Sequence, residues 1–471
     1  MTRKKWMKWL GRLLLAVVFS LVTRTVWLVG ERQWVRAEGD RELTTAFAET
    51  DAADPGWRWE ALAAARRIPP TDGNAAALIP RIKARLPPDW VRFDNPKKWE
   101  PTPPPQPPNR LFPEETIAST RRELGLAPAA VELARTLKDF PDGNRVIHLT
   151  PDVLSTKLQD TQDTRTVAAL LRWDVVLAAA DGDRGRAADD LLALLNTSRS
   201  VGDEPFLISQ LVRIATRTLA ARSVEYVLGQ VELADPRLAA LQAAWANDAE
   251  EPLLLYGLRG ERAAFDVLFR NLADGTATPT SAAKSGDAGL SFEAYTLWLY
   301  RGRFPRERAA YHRWVTRGVE AARLPLHEQP AAIGALPPPP GDDMKLARLF
   351  IPAVEKIAAA DWRSVAEARC VVVALACERY RLKNKRWPGS LSDLPNDRLP
   401  AVPLDPYDGQ PLRYKSLADG AVVYSVGKDG TDDGGLTSEP GNPAGTDIGI
   451  RLWNPAARGL PAVAVPLTPS P

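Results

Sequence analysis

Three histidines, two cysteines and three methionines are spread over 471 residues, and this scarcity excludes several chemistries at once. His148, His312 and His327 stand far apart, without the HExxH spacing that sets two ligands on one helix face. Cys370 and Cys377 lie seven apart in a helical stretch. Their Cα atoms would be about 10 Å apart at the helical rise, too far for a disulfide. They read as two small apolar side chains on one helix face. No Gly-rich phosphate loop and no GxSxG nucleophile turn occurs. Charge of one sign is also scarce: 61 Lys and Arg oppose 58 Asp and Glu, a net charge of +3. That balance gives no general attraction to nucleic acid. Adjacent carboxylates (Asp189-Asp190, Glu250-Glu251, Asp342-Asp343) diverge on a helix and read as solvated faces.

What is present begins with an anchor. Arg3, Lys4, Lys5, Lys8 and Arg12 precede an apolar run from about Leu10 to Val29, interrupted by Arg24. The run is long enough to cross a bilayer core. Its basic flank keeps the N-terminal side cytoplasmic and places the remaining chain on the far side. Arg24, nearer the outer end, can snorkel to the interface. Trp6, Trp9, Trp27 and Trp34 flank the run as interfacial aromatics do. Neither a clean small-x-small cleavage site nor a lipid-attachment cysteine is found near it, which favours an uncleaved single-pass anchor over a signal peptide.

Punctuation by proline and glycine divides the rest. The expected order is a cytoplasmic tail (1–9), the transmembrane anchor (10–30), a juxtamembrane helical segment (31–86) and a Pro-rich linker (87–113). A helical domain (114–325), a second Pro-rich linker (326–343), a long helix with a small α+β domain (344–455) and a disordered tail (456–471) follow. Asp54 is placed to cap the helix after Asp54-Pro55-Gly56. Thr164–Ala180, the Gly182-Asp183 break and Arg184–Leu195 form a helical hairpin of tetratricopeptide type, with no second copy at a period of about 34 residues. Helices are expected over Phe206–Leu228, Asp235–Ala249, Leu253–Leu272, Phe292–Arg323 and Met344–Lys383, the last bent near Pro352, with a loop over Asp274–Gly289. Gln210, Arg213 and Arg217 share one face of the helix from Phe206, where Glu261 is expected to pair with an arginine.

The helical middle resembles a family of bacterial membrane-anchored proteins without an assigned activity. The residues that carry this are Gly202-Asp203-Glu204-Pro205, Leu207–Ala215 and Leu258-Arg259-Gly260-Glu261-Arg262. Near the C-terminal end, Ser364–Lys383 has helical spacing and is stopped by Arg386-Trp387-Pro388. Leu391 and Leu394 follow in a short turn. Asp405-Pro406-Tyr407-Asp408-Gly409 is a tight turn by its chemistry, flanked by edge-strand material (Val402–Leu404, Pro411–Tyr414). Ala418-Asp419-Gly420 marks a hairpin before Ala421–Val426. Tyr424-Ser425-Val426-Gly427-Lys428-Asp429-Gly430 completes a set that resembles the C-terminal part of type II secretion major pseudopilins. The resemblance covers about the last fifth of the chain. It implies a small antiparallel sheet laid on a helix, and calcium bound in the acidic loop, with Asp429, Asp432, Asp433 and Asp447 as ligands. The pseudopilin leader (a Gly, an aromatic or Met, and a Glu four residues on) does not stand before the apolar run.

The fold expected is mainly α, a helical bundle or short helical repeat, with a membrane-anchor helix and a small C-terminal pseudopilin-like α+β domain. The function expected is non-catalytic: a single-pass protein of the cell membrane, its bulk extracytoplasmic. It would contact lipid through the N-terminal helix and an unknown protein partner through apolar helical grooves. Alternatives are a component of a type II secretion or pilus-like apparatus, and an envelope hydrolase with a pocket in the helical domain.

Overall fold

A computed structural model describes residues 3–88, 90, 106–277, 300–338, 340–341, 344–437 and 447–463. Asp342, Asp343, most of the expected 274–289 loop and positions 464–471 lie outside the described residues.

Helix α1 (Arg3–Ala53) runs unbroken through the boundaries expected at 9/10 and 30/31. Its 51 residues reach about 77 Å at 1.5 Å per residue, more than twice a bilayer core. Its apolar stretch is long enough to cross a membrane, and none of that stretch is buried. Beyond it, the last turns of α1 dock on α11 (Phe304–Ala322). Gly39 makes this approach possible, since a Cβ there would lie 2.7 Å from the Arg306 nitrogen. Phe47, Trp57 and His312 form a ring cluster with centroids 4.4 to 5.2 Å apart. Thr50 donates to the Ala46 carbonyl at 2.9 Å, so its oxygen accepts from His312 Nε2 at 2.8 Å. Burial and the nearby arginines hold the His312 imidazole neutral, its pKa lowered to about 3.

Asp54 does not cap the next helix, α2 (Trp59–Ala65), whose N-cap is Arg58. Its carboxylate instead gathers Arg259, Arg262 and Arg323, with Arg262 fully buried. Three guanidiniums on one acid bind the end of α1 to the helices behind it. Helices α3 (Ala75–Lys83), α4 (Glu114–Gly125) and α5 (Pro128–Arg135) then flank an antiparallel hairpin of α6 (Gln159–Ala180) and α7 (Arg184–Arg199). Gly182 turns with φ +68°, and the Asp183 side chain accepts from the Arg186 N–H to cap α7. Helices α8 (Leu207–Gln230), α9 (Asp235–Ala249) and α10 (Leu253–Asp274) follow.

Positions 326–335 are not a linker. A 3-10 turn (Leu326–Glu328) leads into α12 (Gln329–Gly334), where Gln329 and Ile333 are buried. The long helix is not one bent rod either. Pro352 separates a short α13 (Lys345–Phe350) from α14 (Val354–Asn384), because proline neither donates to the ladder nor lets its predecessor stay helical.

Helix α14 is the spine. Its turns from Ala366 to Cys377 are almost wholly apolar and are buried all round, with α8 and α9 on one side and the sheet on the other. The expectation of a single core face is corrected accordingly. The sheet has order β1-β2-β3: β1 (Arg413–Leu417), β2 (Gly420–Ser425) and β3 (Ile448–Trp453), antiparallel throughout. Two apolar clusters share the spine. One joins α10 to α13 with the start of α14 through Phe265, Phe269, Trp314 and Trp362. The other joins α3 to α9, the middle of α14 and the sheet.

The expected disordered tail is ordered as far as it is described. Arg110 bridges Leu460 in parallel, and Arg458 forks onto Glu378 at 2.9 and 3.0 Å. Residues 106–112 are thereby pinned on the core, with Phe112 against Trp173 and Tyr226.

Candidate functional site

The residues of the Gly202–Pro205 and Leu258–Arg262 motifs meet where α8 begins. Gly202 takes φ +62°, and a Cβ on it would lie 2.3 Å from the Gly143 oxygen. Asp203 accepts from Arg66 Nε at 2.8 Å and Asn144 Nδ2 at 2.6 Å. Glu204 is fully buried and accepts from Ser209 and Thr161. Pro205 packs on Gly260, whose Cβ would stand 2.0 Å from the Pro205 oxygen. Glu261 does not pair with an arginine. It accepts the Leu207 N–H at 3.2 Å and so caps α8. Burial lifts its pKa to about 7, opposed by that N–H.

Gln210, Arg213 and Arg217 do share a face of α8, and it is buried. Gln210 donates to the Glu204 carbonyl at 2.8 Å and Arg213 to the Gly202 carbonyl at 2.9 Å. The acids that answer the arginines are Asp248 of α9 and Asp361 of α14. Arg213 reaches Asp248 at 3.1 Å, and Arg199 reaches it at 3.2 Å. Arg217 reaches Asp361 at 3.2 Å and donates to Ser364 at 2.7 Å. Burial alone would raise the Asp248 carboxyl, but Arg213, Arg217 and Arg199 together hold it below the usual range. At Asp361 burial wins over Arg217, and the pKa is raised. This polar layer lies between the two apolar clusters.

Of the paired carboxylates, Glu250 stands in solvent as expected, Asp189 and Glu251 are half-buried, and Asp190 alone departs from a solvated face. Asp190 is buried beside Asp174, which Arg135 holds in a fork at 2.6 and 2.7 Å. Asp189 pairs with Arg237, Glu250 with Arg369 at 3.1 Å, and Glu251 accepts from Tyr256 at 3.0 Å. Cys370 and Cys377 are buried free thiols, and burial pushes both pKa values up.

At the C-terminal turn, Asp405 ties the Asp405–Gly409 loop to β2. It accepts from Ser425 at 2.8 Å, the Val426 N–H at 2.9 Å, the Tyr407 N–H at 3.0 Å and Arg413 at 3.2 Å. Trp387 donates to Asn454 at 2.7 Å, and Tyr414 to the Pro388 carbonyl at 2.8 Å, so the aromatic-Pro stop is fixed on the sheet.

Calcium requires several oxygens converging on one point. The four aspartates of the acidic loop make the following contacts. Exposed Asp429 accepts the Thr431 N–H of its own turn at 3.2 Å. Asp432 accepts from the Gly434 N–H at 2.9 Å and from Tyr424 at 3.0 Å and faces Arg413 at 3.4 Å; the Gly434 amide above all, with Tyr424 and Arg413 behind it, holds its carboxyl below the usual range. Asp433 contributes its backbone N–H to Asp447. Among the described residues no group of three or more His, Cys, Asp or Glu side chains could hold a metal ion.

Asp447 differs from the other three. It is buried at 2 % exposure, and burial raises its carboxyl against the amides of Gly435 and Asp433. Oδ2 accepts from Gly435 at 2.7 Å, while Oδ1 has no hydrogen-bond partner among the described residues. It lines a groove of about 490 Å³ between α6, α8, α14 and β3. Glu367, 5 % exposed, lines the same groove with Oε2 unpartnered. Arg172 lines it too, its guanidinium 5.7 Å from the Trp173 ring and 5.3 Å from the Tyr226 ring, with Nη1 unpartnered. On the β3 edge, the Arg451 N–H turns away from β2 to Glu225 at 2.8 Å. Gly449, two residues back, turns its own backbone away from β2 as well, with Thr437, which bridges Asp447 in parallel, packed against it. Asp447 was legible as an acid of the loop through the pseudopilin resemblance. Arg172 and Glu367 were not, since each looks like one more charge in a helical pattern.

No protein family, curated protein or solved structure matches this chain.

Proposed function

We propose that this chain is a membrane-anchored, non-catalytic protein that docks a short extended segment of a protein partner in the groove along β3. Helix α1 holds it in the bilayer, with the bulk beyond the membrane on the side away from the basic N-terminal flank. The C-terminal sheet, with its pseudopilin-like turn motifs, serves as a rigid wall of that groove.

The observation that supports this reading is the set of three charged side chains from three helices and strands, Arg172, Glu367 and Asp447, each with an unpartnered polar atom on one groove. An unmade hydrogen bond on a buried charge costs about 1–3 kcal/mol or more. An extended peptide brings an N–H and a C=O at every residue, which suits a wall carrying both donors and acceptors. The groove's mixed charge, with Arg222 and Arg363 at the rim and Glu225 beside them, favours a segment with charges of both signs over a uniformly acidic one.

Selection of displayed peptides on the detergent-solubilised full chain tests this. Peptides enriched by the wild type should lose about tenfold or more in affinity to Asp447→Asn, Glu367→Gln and Arg172→Met, the weight of one charge-assisted hydrogen bond. The exposed rim change Arg222→Glu should weaken acidic members only. Equal binding by all variants, or no enrichment, would sink the reading. Carbonate extraction of membranes checks the anchor: the chain should stay with the lipid pellet.

A further inference from the structure

A second cavity, of about 240 Å³, lies between α1 and the chain that leads into α11. Leu28, Glu31, Arg32 and Val35 line it from α1, and Tyr300, Gly302 and Arg303 from the other side. The α1 residues recur every three to four positions and so share one face. The inference drawn from this cavity rests on the anchor reading above.

Depth is the first argument. A hydrocarbon core of about 30 Å takes about 20 helical residues. The apolar stretch from about position 10 to 29 fills that length, so Leu28–Val35 then rises about 10 Å through the headgroup layer. Trp27 and Trp34 bracket this level, 64 % and 66 % exposed, where interfacial tryptophans belong. Large exposed apolar side chains are continuous below it (Leu13, Leu14, Leu15, Phe19, Leu21, Val22, Val26).

Chemistry is the second. Leu28 gives the cavity an apolar floor toward the bilayer, and Val35 an apolar residue at its outer end. Arg303 is exposed and stands at the N-cap of α11, a 19-residue helix whose positive end faces the same place. Glu31, exposed beside Arg303, would repel a headgroup that carries only negative charge and attract an ammonium. We propose that this cavity binds the headgroup of an amine-bearing phospholipid. Its phosphate sits on Arg303 at the start of α11, its ammonium on Glu31, and its acyl chains run down the exposed face of α1.

The test titrates the full chain in detergent with dihexanoyl phosphatidylethanolamine or dihexanoyl phosphatidylglycerol, read by tryptophan fluorescence and native mass spectrometry. The wild type should bind the amine lipid about tenfold more tightly. Glu31→Gln should erase that preference and keep phosphate binding. Arg303→Ala should weaken both lipids about tenfold. Val35→Trp, which fills the cavity without adding charge, should abolish both. Wild-type binding that does not distinguish the two lipids overturns the amine assignment. Unchanged binding by Arg303→Ala and Val35→Trp overturns the site. The soluble short-chain lipids report on the cavity whether or not α1 spans a bilayer, so loss of the chain from the carbonate pellet would count against the anchor alone.

Discussion

Single buried charges set much of this protein's response to its surroundings. Asp190 lies in α7 against Asp174 of α6. Burial first, and the neighbouring carboxylate second, push its pKa up to about 8. The unfolded chain loses that proton near the usual carboxylate value, so between about pH 4 and 8 the folded state holds one more proton than the unfolded. Stability should therefore fall as pH rises through that window. Asp190→Asn should reduce the slope, measured as thermal midpoint against pH in detergent, and leave below about pH 7 the part that Glu261 supplies. A slope unchanged by the substitution would place the titrating group elsewhere. Arg217 makes the complementary case. It is fully buried between Asp248 and Asp361, and Arg217→Met leaves both acids short of a partner. The expected loss is about 3–5 kcal/mol in chemical denaturation, and adding Asp361→Leu should recover part of it. Neither acid partner was legible in the sequence. The arginine face of α8 is a local spacing, but Asp248 and Asp361 reach it from 31 and 144 positions away.

At the scale of elements, the sequence was most readable where a helix end has its own chemistry. Asp183 after Gly182 and Pro236 after Asp235 mark α7 and α9 within a residue of their observed starts. It was least readable where tertiary contact overrides local signals. The Pro325–Gly341 stretch looks like a linker, yet Ile333 and Gln329 find a place under α11 and α14. Strand β3 went unnoticed beside its acidic neighbour, although Ile448, Ile450 and Leu452 alternate inward as a half-buried strand requires. Glycines inside α10 show why a helix can carry residues of poor propensity. Gly257 and Gly260 let α10 touch Leu207 and Pro205 directly. Gly260→Ala should cost about 1–3 kcal/mol through overpacking, despite alanine's better helix propensity. A gain in thermal midpoint would mean the close approach does not matter.

For the molecule as a whole, the C-terminal sheet is not a separable module. Its core is the core of the helical array, because α14 serves both. A fragment of residues 354–463 would expose the side of α14 that α8 and α9 cover. It should give poorly dispersed amide spectra and a broad thermal transition, whereas the full chain should melt cooperatively. A sharply folded fragment would restore the modular view that the motif order suggested. Sequence reasoning saw the hairpin, the Asp405 turn and the helix, since each is local. It did not see that one helix closes two halves. The shared spine also bears on how the protein is made. Residues 207–249 complete α8 and α9 before Val354 is synthesised, 105 positions later. At about 5–20 residues per second that is a wait of roughly 5–20 s, during which the faces they turn to α14 have no cover. A nascent chain in that interval is a natural client for a holding chaperone, and a stalled ribosome there would leave an aggregation-prone half rather than a small stable domain.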